Sequence, residues 1–197
     1  AEAKLTFAAS AAILENLPAI SIPPAAHEVL QAIKDPLMRE TTRDHFVNQQ
    51  FRRDIFVKGP RMMSAYDHAR ITESERFILV GNPEKVPDKV ATVIGEAALR
   101  EDIYEPLVKA LAAFPGGSAT VGELVAVKEL SALNRAQIWE AMLVLTGAGY
   151  ATPATKSTTP AEDLAASQSL NRRLLQRAES GVGVDYLAAP KLGAATI

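Results

Sequence analysis

The sequence contains no cysteine and very little histidine. The absence of cysteine among 197 residues excludes disulfides, thiolate zinc sites, iron–sulfur clusters and cysteine nucleophiles. The three histidines are His27, His45 and His68, and none has a second histidine at the spacing that joins two ligands on one helix face. We therefore expect no metal site within this chain, and its residues alone do not indicate an active site.

The sequence also has no excess of charge of one sign. Lys and Arg number 21 against 23 Asp and Glu, for a formal net charge of -2. Such a surface lacks the cationic field that attracts phosphate backbones or anionic lipid. No uncharged apolar run approaches the ~20 residues that span a bilayer, and no cationic segment opens a signal peptide. These absences predict a cytoplasmic protein without nucleic-acid or membrane partners, and the start at Ala1 suggests a fragment of a longer protein.

What the sequence does contain is an ordinary globular composition, with 48% apolar and 22% charged residues. The length suits one large domain or two small ones. The patterns predict an α+β fold with two parts. Residues 1–100 form an α+β part with a mixed or antiparallel sheet and helices, and residues 101–197 form a winged-helix-like part. The short break at Pro115-Gly116-Gly117 predicts that the two halves pack together.

Proline and apolar spacing divide the first half into short elements. The segment LPAISIPP is predicted to be a loop because its three prolines interrupt regular structure. Residues 89–100 are ambiguous, and their β-branched side chains favour a strand. We expect strands over residues 5–13, 51–57 and 76–80, and helices over residues 25–34, 36–50 and 64–70.

Capping patterns define the second half more sharply. Thr120 with Glu123, and Asn134 with Gln137, have the spacing of capping boxes. Helices are predicted over 102–114, from 120, from 135 to about 146, and from about 159 to 178. A short strand is predicted at 150–155 and a polar loop, KSTT, at 156–159. An extended strand interrupted by Pro190 closes the chain. The order helix, short helix, helix and strand resembles a winged-helix core.

A winged helix raises nucleic-acid binding as an alternative function. A helix that reads DNA offers several basic or amide side chains on its exposed face. The helix from Arg135 offers Gln137 but also Glu140, and it is otherwise almost entirely apolar. Because Glu140 would repel phosphate, this helix is better suited to burial against the rest of the protein or a partner.

Motifs for catalysis are missing. Gly116-Gly117 follows a predicted helix, and Gly181-Val182-Gly183 opens none, so neither has the context of a nucleotide-binding loop. The serines lack a nucleophile-elbow context. An enzyme that uses paired carboxylates stays open as a third hypothesis, because sequence does not show which acids meet in a cleft.

The most basic segment is FRRDIFVKGPR, residues 51–61. One interpretation is a surface for a partner, and the other is a strand whose arginines pair with acids such as Glu40, Asp44 or Asp54. In a strand, Arg53 would share a face with Ile55 and would need a carboxylate there. The candidate partner-binding residues are Arg52, Arg53, Asp54 and Arg61.

Four ordered stretches carry a resemblance to a known family. They are LTFAASAAILENLPAISIPP, LQAIKDPLMRETTRDHFVNQQFRRDIFVKG, residues 103–155 and SLNRRLLQRAESGVGVDYLAAPKLGAATI. Together with FRRDIFVKGPRMMS they resemble the predicted methyltransferase regulatory domain. That region lies C-terminal to the catalytic domain in bacterial class I methyltransferases, including rickettsial-type protein lysine methyltransferases.

The resemblance implies a role without catalysis. Nothing in this sequence matches the glycine-rich loop that binds S-adenosylmethionine in the family's catalytic domain. The chain is therefore expected to be a regulatory or substrate-presenting module of a methyltransferase, with the catalytic domain and its cofactor outside it. Its expected partners are that catalytic domain, in the same polypeptide, and a protein substrate.

Overall fold

The computed structural model describes residues 4–155, 161–190 and 194–196, and it has the expected mixed α+β architecture. The helices are α1 (Pro18–Ser21), α2 (Pro24–Ala32), α3 (Pro36–Val47), α4 (Ala65–Ser74), α5 (Glu101–Ala113), α6 (Val121–Val125), α7 (Arg135–Gly147) and α8 (Ala161–Glu179). The strands are β1 (Leu5–Ser10), β2 (Asp54–Lys58), β3 (Arg76–Leu79), β4 (Lys89–Thr92), β5 (Gly95–Ala98), β6 (Ser118–Thr120), β7 (Ala151–Ala154), β8 (Leu187–Ala189) and β9 (Ala194–Thr196). The paired strands are antiparallel.

The N-terminal part is built on a two-stranded ribbon and a pair of helices. β1 pairs with β2 so that Phe7 lies opposite Phe56 and Ser10 opposite Asp54, with an irregularity after Phe7. α2 packs against α3. The small cluster of buried apolar residues in this part of the chain consists of Ile22, Ala26 and Leu30. A core of this size stabilises little by itself, so polar contacts contribute much to its architecture.

Local sequence signals fix both ends of α3, which begins at the predicted residue 36 and ends at Val47, three residues before the predicted end at 50. The Asp35 carboxylate accepts the backbone N–H of Met38 at 2.7 Å, and Pro36 occupies the first turn, where no N–H is needed. The helix is capped by Asn48, whose φ of 52° lies in the left-handed region that asparagine tolerates.

The main hydrophobic core lies around α5 and α7 and includes Phe77 of β3, from before residue 101. β3 lies at the centre of a three-stranded sheet, between β6 and β7. α5, α6 and α7 pack beside this sheet, and Trp139 of α7 meets Phe77 of β3 edge-on with ring centroids 5.9 Å apart. The fully or almost fully buried residues include Leu107, Val108, Leu111, Val121, Leu124, Leu130, Ile138, Met142 and Leu145.

Both predicted capping boxes form. Thr120 Oγ1 accepts the Glu123 N–H, while Glu123 accepts the Thr120 N–H. Asn134 and Gln137 make the same exchange at the start of α7. These reciprocal bonds satisfy donors that a helix end otherwise leaves without partners.

The structure differs from the sequence-based prediction in three places. Between Ser10 and Pro24, the end of the predicted strand and the predicted loop are instead the 3₁₀ turn Ile13–Asn16 and α1, since Pro18 occupies a first-turn position that a helix tolerates. Residues 89–98 form a hairpin, β4–β5, with Gly95 at a φ of 124°. The closing strand is also a hairpin, β8–β9. The predicted polar loop at 156–159 lies outside the described residues.

The predicted helix order is present as α5, α6, α7 and β7. The central strand of their sheet, β3, comes from upstream of α5. The winged-helix assignment and the boundary between residues 100 and 101 stay predictions. In the described part of the chain, no helix is long and apolar enough to cross a membrane.

Candidate functional site

Arg52 ties the ribbon to helix α3. Its guanidinium lies 2.9 Å from Glu40, 3.0 Å from Asp44 and 2.9 Å from Asp54. Glu40 and Asp44 are four residues apart on α3, so they face the same side of the helix. A single arginine thus joins two carboxylates of α3 to the first residue of β2.

The surroundings of Arg52 stabilise the positively charged form of its side chain. Partial burial disfavours the cation, but hydrogen bonds to Asp44, Glu40 and Asp54 outweigh that effect and raise the pKa of Arg52 above its usual range. The guanidinium carbon also lies 5.1 Å from the centre of the Phe7 ring, within the range of a cation–π contact. Arg52 and Asp54 are therefore paired with residues of the chain itself.

The other two candidate partner-binding residues lie at the surface. Arg53 and Arg61 are exposed, and neither forms an ion pair among the described residues. The expectation that Arg53 needs a carboxylate does not apply, because its side of the ribbon is open to solvent. The backbone carbonyl of Arg53 accepts the N–H of Ala11 at 2.7 Å. Contact of Arg52, Arg53, Asp54 and Arg61 with a partner stays a prediction.

The ribbon and the segment after it expose large apolar side chains. Phe51 is 88% exposed, Met62 96% and Tyr66 76%. Ile55 and Phe56 alternate along β2 and are each about half exposed, so both faces of this strand are partly open to solvent. We call the exposed apolar side chains on the two faces of the ribbon and on the segment after it the ribbon patch: Leu5, Phe51, Ile55, Phe56, Met62, Met63 and Tyr66.

A cavity of about 520 Å³ lies where β1, α2 and α3 meet. Its charged lining residues include Arg39, Arg43 and Arg52, with Glu15 and Glu40. Arg43 is only 7% exposed, and its Nη2 donates to the backbone carbonyl oxygen of Glu15 at 3.0 Å. In the sequence, Arg43 falls on the polar face of α3, and its burial depends on how α3 packs against its neighbours.

Glu15 connects the 3₁₀ turn to both ribbon and helix. Its carboxylate accepts from Ser10 Oγ at 2.6 Å and from Gln49 Nε2 at 3.3 Å. Gln49 Nε2 also donates to the Phe51 carbonyl at 2.7 Å, whereas the buried Gln49 Oε1 has no hydrogen-bond partner among the described residues. This polar network takes the place of a larger apolar core near the cavity.

The α7 region offers few free groups for nucleic acid. Arg135 forms an ion pair with Glu73, and Gln137 belongs to the capping box. Ile138, Met142 and Leu145 are buried, as expected for a helix that is apolar on most sides. Among the described residues, no group of three His, Asp or Glu is placed to hold a metal ion. Nucleic-acid binding and carboxylate-based catalysis stay alternative hypotheses.

The segment that forms the ribbon and lines the cavity is similar to a known family. Residues 1–58 match the predicted methyltransferase regulatory domain. An uncharacterized protein of Synechocystis sp. is 31% identical to the chain over 192 residues, which cover 98% of this chain and 37% of that protein. The chain thus spans little more than a third of that relative's length, and no solved structure matches it. The ribbon, α1 to α3 and most of the cavity lining therefore lie within a segment that is similar to the predicted methyltransferase regulatory domain, as the sequence resemblance indicated.

Proposed function

We propose that this chain is a non-catalytic regulatory module of an S-adenosylmethionine-dependent methyltransferase. In this proposal it docks through the ribbon patch onto a catalytic domain of the same polypeptide and helps to present a protein substrate. The observation that carries the proposal is the exposure of the ribbon patch, most of which lies in the segment matched to the regulatory domain.

Exposed apolar surface of this kind supports an interface. Soluble proteins seldom expose several large apolar side chains on one short segment unless another surface covers them. An isolated two-stranded ribbon is also marginally stable in water, so a cover on β2 would stabilise it. Aromatic and methionine side chains, which dominate this segment, are enriched at protein interfaces.

The catalytic domain is the proposed cover for two reasons. A regulatory domain of a methyltransferase implies a catalytic partner domain. The larger part of the Synechocystis relative lies outside the matched region, which leaves ample chain for such a domain. Arg53 and Arg61 are suited to the charged rim of the interface, whereas Arg52 and Asp54 position the ribbon on α3.

The first test is the full reading frame that encodes this chain. The proposal predicts a domain with a glycine-rich S-adenosylmethionine loop in that frame. Expressed separately, that domain should bind this chain in a calorimetric titration, while the chain alone should take up no S-adenosylmethionine. A frame without such a domain, or cofactor binding by the chain alone, would contradict the proposal.

Matched variants test the location of the interface. We expect Phe51→Ser combined with Met62→Ser to weaken binding to the catalytic domain at least about tenfold, since both side chains would be buried there. Leu170→Ser combined with Leu175→Ser removes two half-exposed leucines of α8 and should leave binding unchanged. Arg61→Glu should weaken binding less, without unfolding the chain. Equal losses in both double variants would reject the ribbon patch as the interface.

A further inference from the structure

The cavity between β1, α2 and α3 contains a buried cation, Arg43, that forms no ion pair with the part of the chain that the structure describes. Arg43 is 7% exposed and donates one hydrogen bond to a neutral carbonyl oxygen, that of Glu15. Among the described residues, no carboxylate oxygen lies within 4.0 Å of a guanidinium nitrogen of Arg43. A buried charge is costly unless an opposite charge accompanies it, so this guanidinium is suited to an anion from outside the chain.

The nearby acids are already engaged by other donors. Glu40 lies between Arg39 and Arg43 in sequence, but its carboxylate accepts from Arg52. The Glu15 carboxylate accepts from Ser10 and Gln49. Arg52 lines the same cavity and has three carboxylate partners. Two arginines of one cavity therefore differ: Arg52 is paired with three carboxylates, whereas Arg43 has no carboxylate within ion-pair distance among the described residues.

Further donors line the same cavity at regular helical spacing. Arg39 and Arg43 are four residues apart on α3, and His27 and Gln31 are four residues apart on α2. Because α2 and α3 pack together, both pairs contribute to one space. The apolar part of the lining comes from Phe7, Ile22 and Leu30.

We propose that this cavity binds a small organic carboxylate. Its carboxylate group accepts hydrogen bonds from the Arg43 guanidinium, whose planar fork suits bidentate pairing, and from Arg39. Its apolar body contacts Phe7, Ile22 and Leu30. A volume of about 520 Å³ lies in the ordinary range for small-molecule sites. A singly charged anion is favoured over phosphate because Glu15 and Glu40 also line the cavity and repel a second negative charge.

Thermal melts of the 197-residue chain test the proposal with acetate, benzoate, neutral benzamide and inorganic phosphate at constant ionic strength. We expect benzoate to raise the melting temperature saturably, acetate to do so more weakly, and benzamide and phosphate to have little effect. The titration uses this chain alone, so its outcome does not depend on a catalytic domain.

Variants of Arg43 connect the effect to this residue. Arg43→Met should weaken benzoate binding at least about tenfold and leave the ligand-free melting temperature unchanged or higher, since it removes the unmatched charge. Arg43→Lys keeps the charge but loses the planar fork, and it should also bind benzoate more weakly. Arg53→Met, which changes an exposed arginine outside the cavity, should bind benzoate as the unaltered chain does.

Several results would overturn the proposal. The absence of a saturable shift with both carboxylates would reject the site, and an equal shift with benzamide would reject recognition of the charge. A larger shift of the melting temperature with phosphate than with benzoate would reject the assignment of the cavity to singly charged anions. A lower ligand-free melting temperature in Arg43→Met, with benzoate binding retained, would make Arg43 a structural residue only. Should Arg43→Met fail to fold, the wild-type titration and Arg43→Lys still decide the question.

Discussion

The part around α5 and α7 and the part around the ribbon bury their apolar residues to very different degrees. Leu107, Leu111 and Leu145 of the first part are completely buried in one contiguous core. In the second part the buried apolar cluster has three members, while Phe51 and Met62 are almost entirely exposed. Hydrophobic burial therefore stabilises the first part, whereas the second depends on the ion pairs and hydrogen bonds of Arg52, Glu15 and their partners.

The two parts meet at α7. The 3₁₀ turn Ile13–Asn16 packs against α7, and Leu14 lies directly over Gly147. Glycine is needed there because a Cβ would run into the Leu14 side chain. The contrast in burial indicates that the ribbon is the region open to a partner. The 3₁₀ turn that follows β1 is held in place by its packing against α7.

The largest expected effect is the loss of a core side chain. Leu107→Ala should lower the free energy of unfolding by about 2–5 kcal/mol, because it leaves a cavity in a fully packed site. The control Leu170→Ala removes a half-exposed leucine of α8 and should cost about 0.5 kcal/mol or less. Urea denaturation measures both, and equal costs would show that the core around α5 is not the main source of stability.

A smaller loss is expected for the polar junction of the ribbon. Arg52→Met leaves Glu40, Asp44 and Asp54 close together without their shared cation, and it should cost about 1–3 kcal/mol in urea denaturation. Arg53→Met changes the exposed neighbour and should cost about 0.5 kcal/mol or less. Should the two variants unfold at the same urea concentration, the ion-pair cluster would contribute nothing to the ribbon's stability.

The junction between the parts should respond to added volume. Gly147→Ala should destabilise the chain by about 1–2 kcal/mol, because the new methyl group displaces Leu14. Combining it with Leu14→Ala should recover part of that loss, giving a coupling energy of at least about 0.5 kcal/mol in a double-mutant cycle. Additive effects of the two substitutions would mean that the turn does not press on α7.

The smallest effect concerns the first turn of α6. The backbone N–H of Thr120, and the nearby Arg76, hold the pKa of Glu123 below its usual range. A depressed pKa contributes stability above the unfolded-state pKa of about 4.3, and that contribution is lost as the pH falls through the folded-state value. Glu123→Gln should therefore cost about 0.5 kcal/mol at pH 7 and less below pH 4. Unfolding curves between pH 2 and 8 test this, and a cost independent of pH would contradict it.

Elements with their own local signals could be predicted from the sequence. Asp35-Pro36 at the start of α3 and the two capping boxes of the C-terminal part each satisfy a helix end with residues three positions away. The apolar character of α7 likewise predicted its burial, because a helix without a polar face has no stable exposed position.

Features that depend on long-range contacts could not be predicted. The place of β3 between β6 and β7 depends on pairing across forty residues or more, which apolar periodicity and strand propensity do not reveal. The roles of Arg52 and Arg43 follow from which side of α3 meets the ribbon and which meets α2. The basic run at 51–61 indicated an ion-pair cluster or a partner surface, and only the structure separates Arg52 from its exposed neighbour Arg53.

The central claim is that the ribbon patch is covered by a catalytic domain, and amide hydrogen exchange tests it most directly. Exchange would be compared between the 197-residue chain and the polypeptide encoded by its full reading frame. We predict that amides of β1, β2 and residues 51–66 exchange at least about tenfold more slowly in the longer polypeptide, while those of α5 and α7 are unchanged. Equal exchange of the ribbon in both, or added protection only outside it, would contradict the claim.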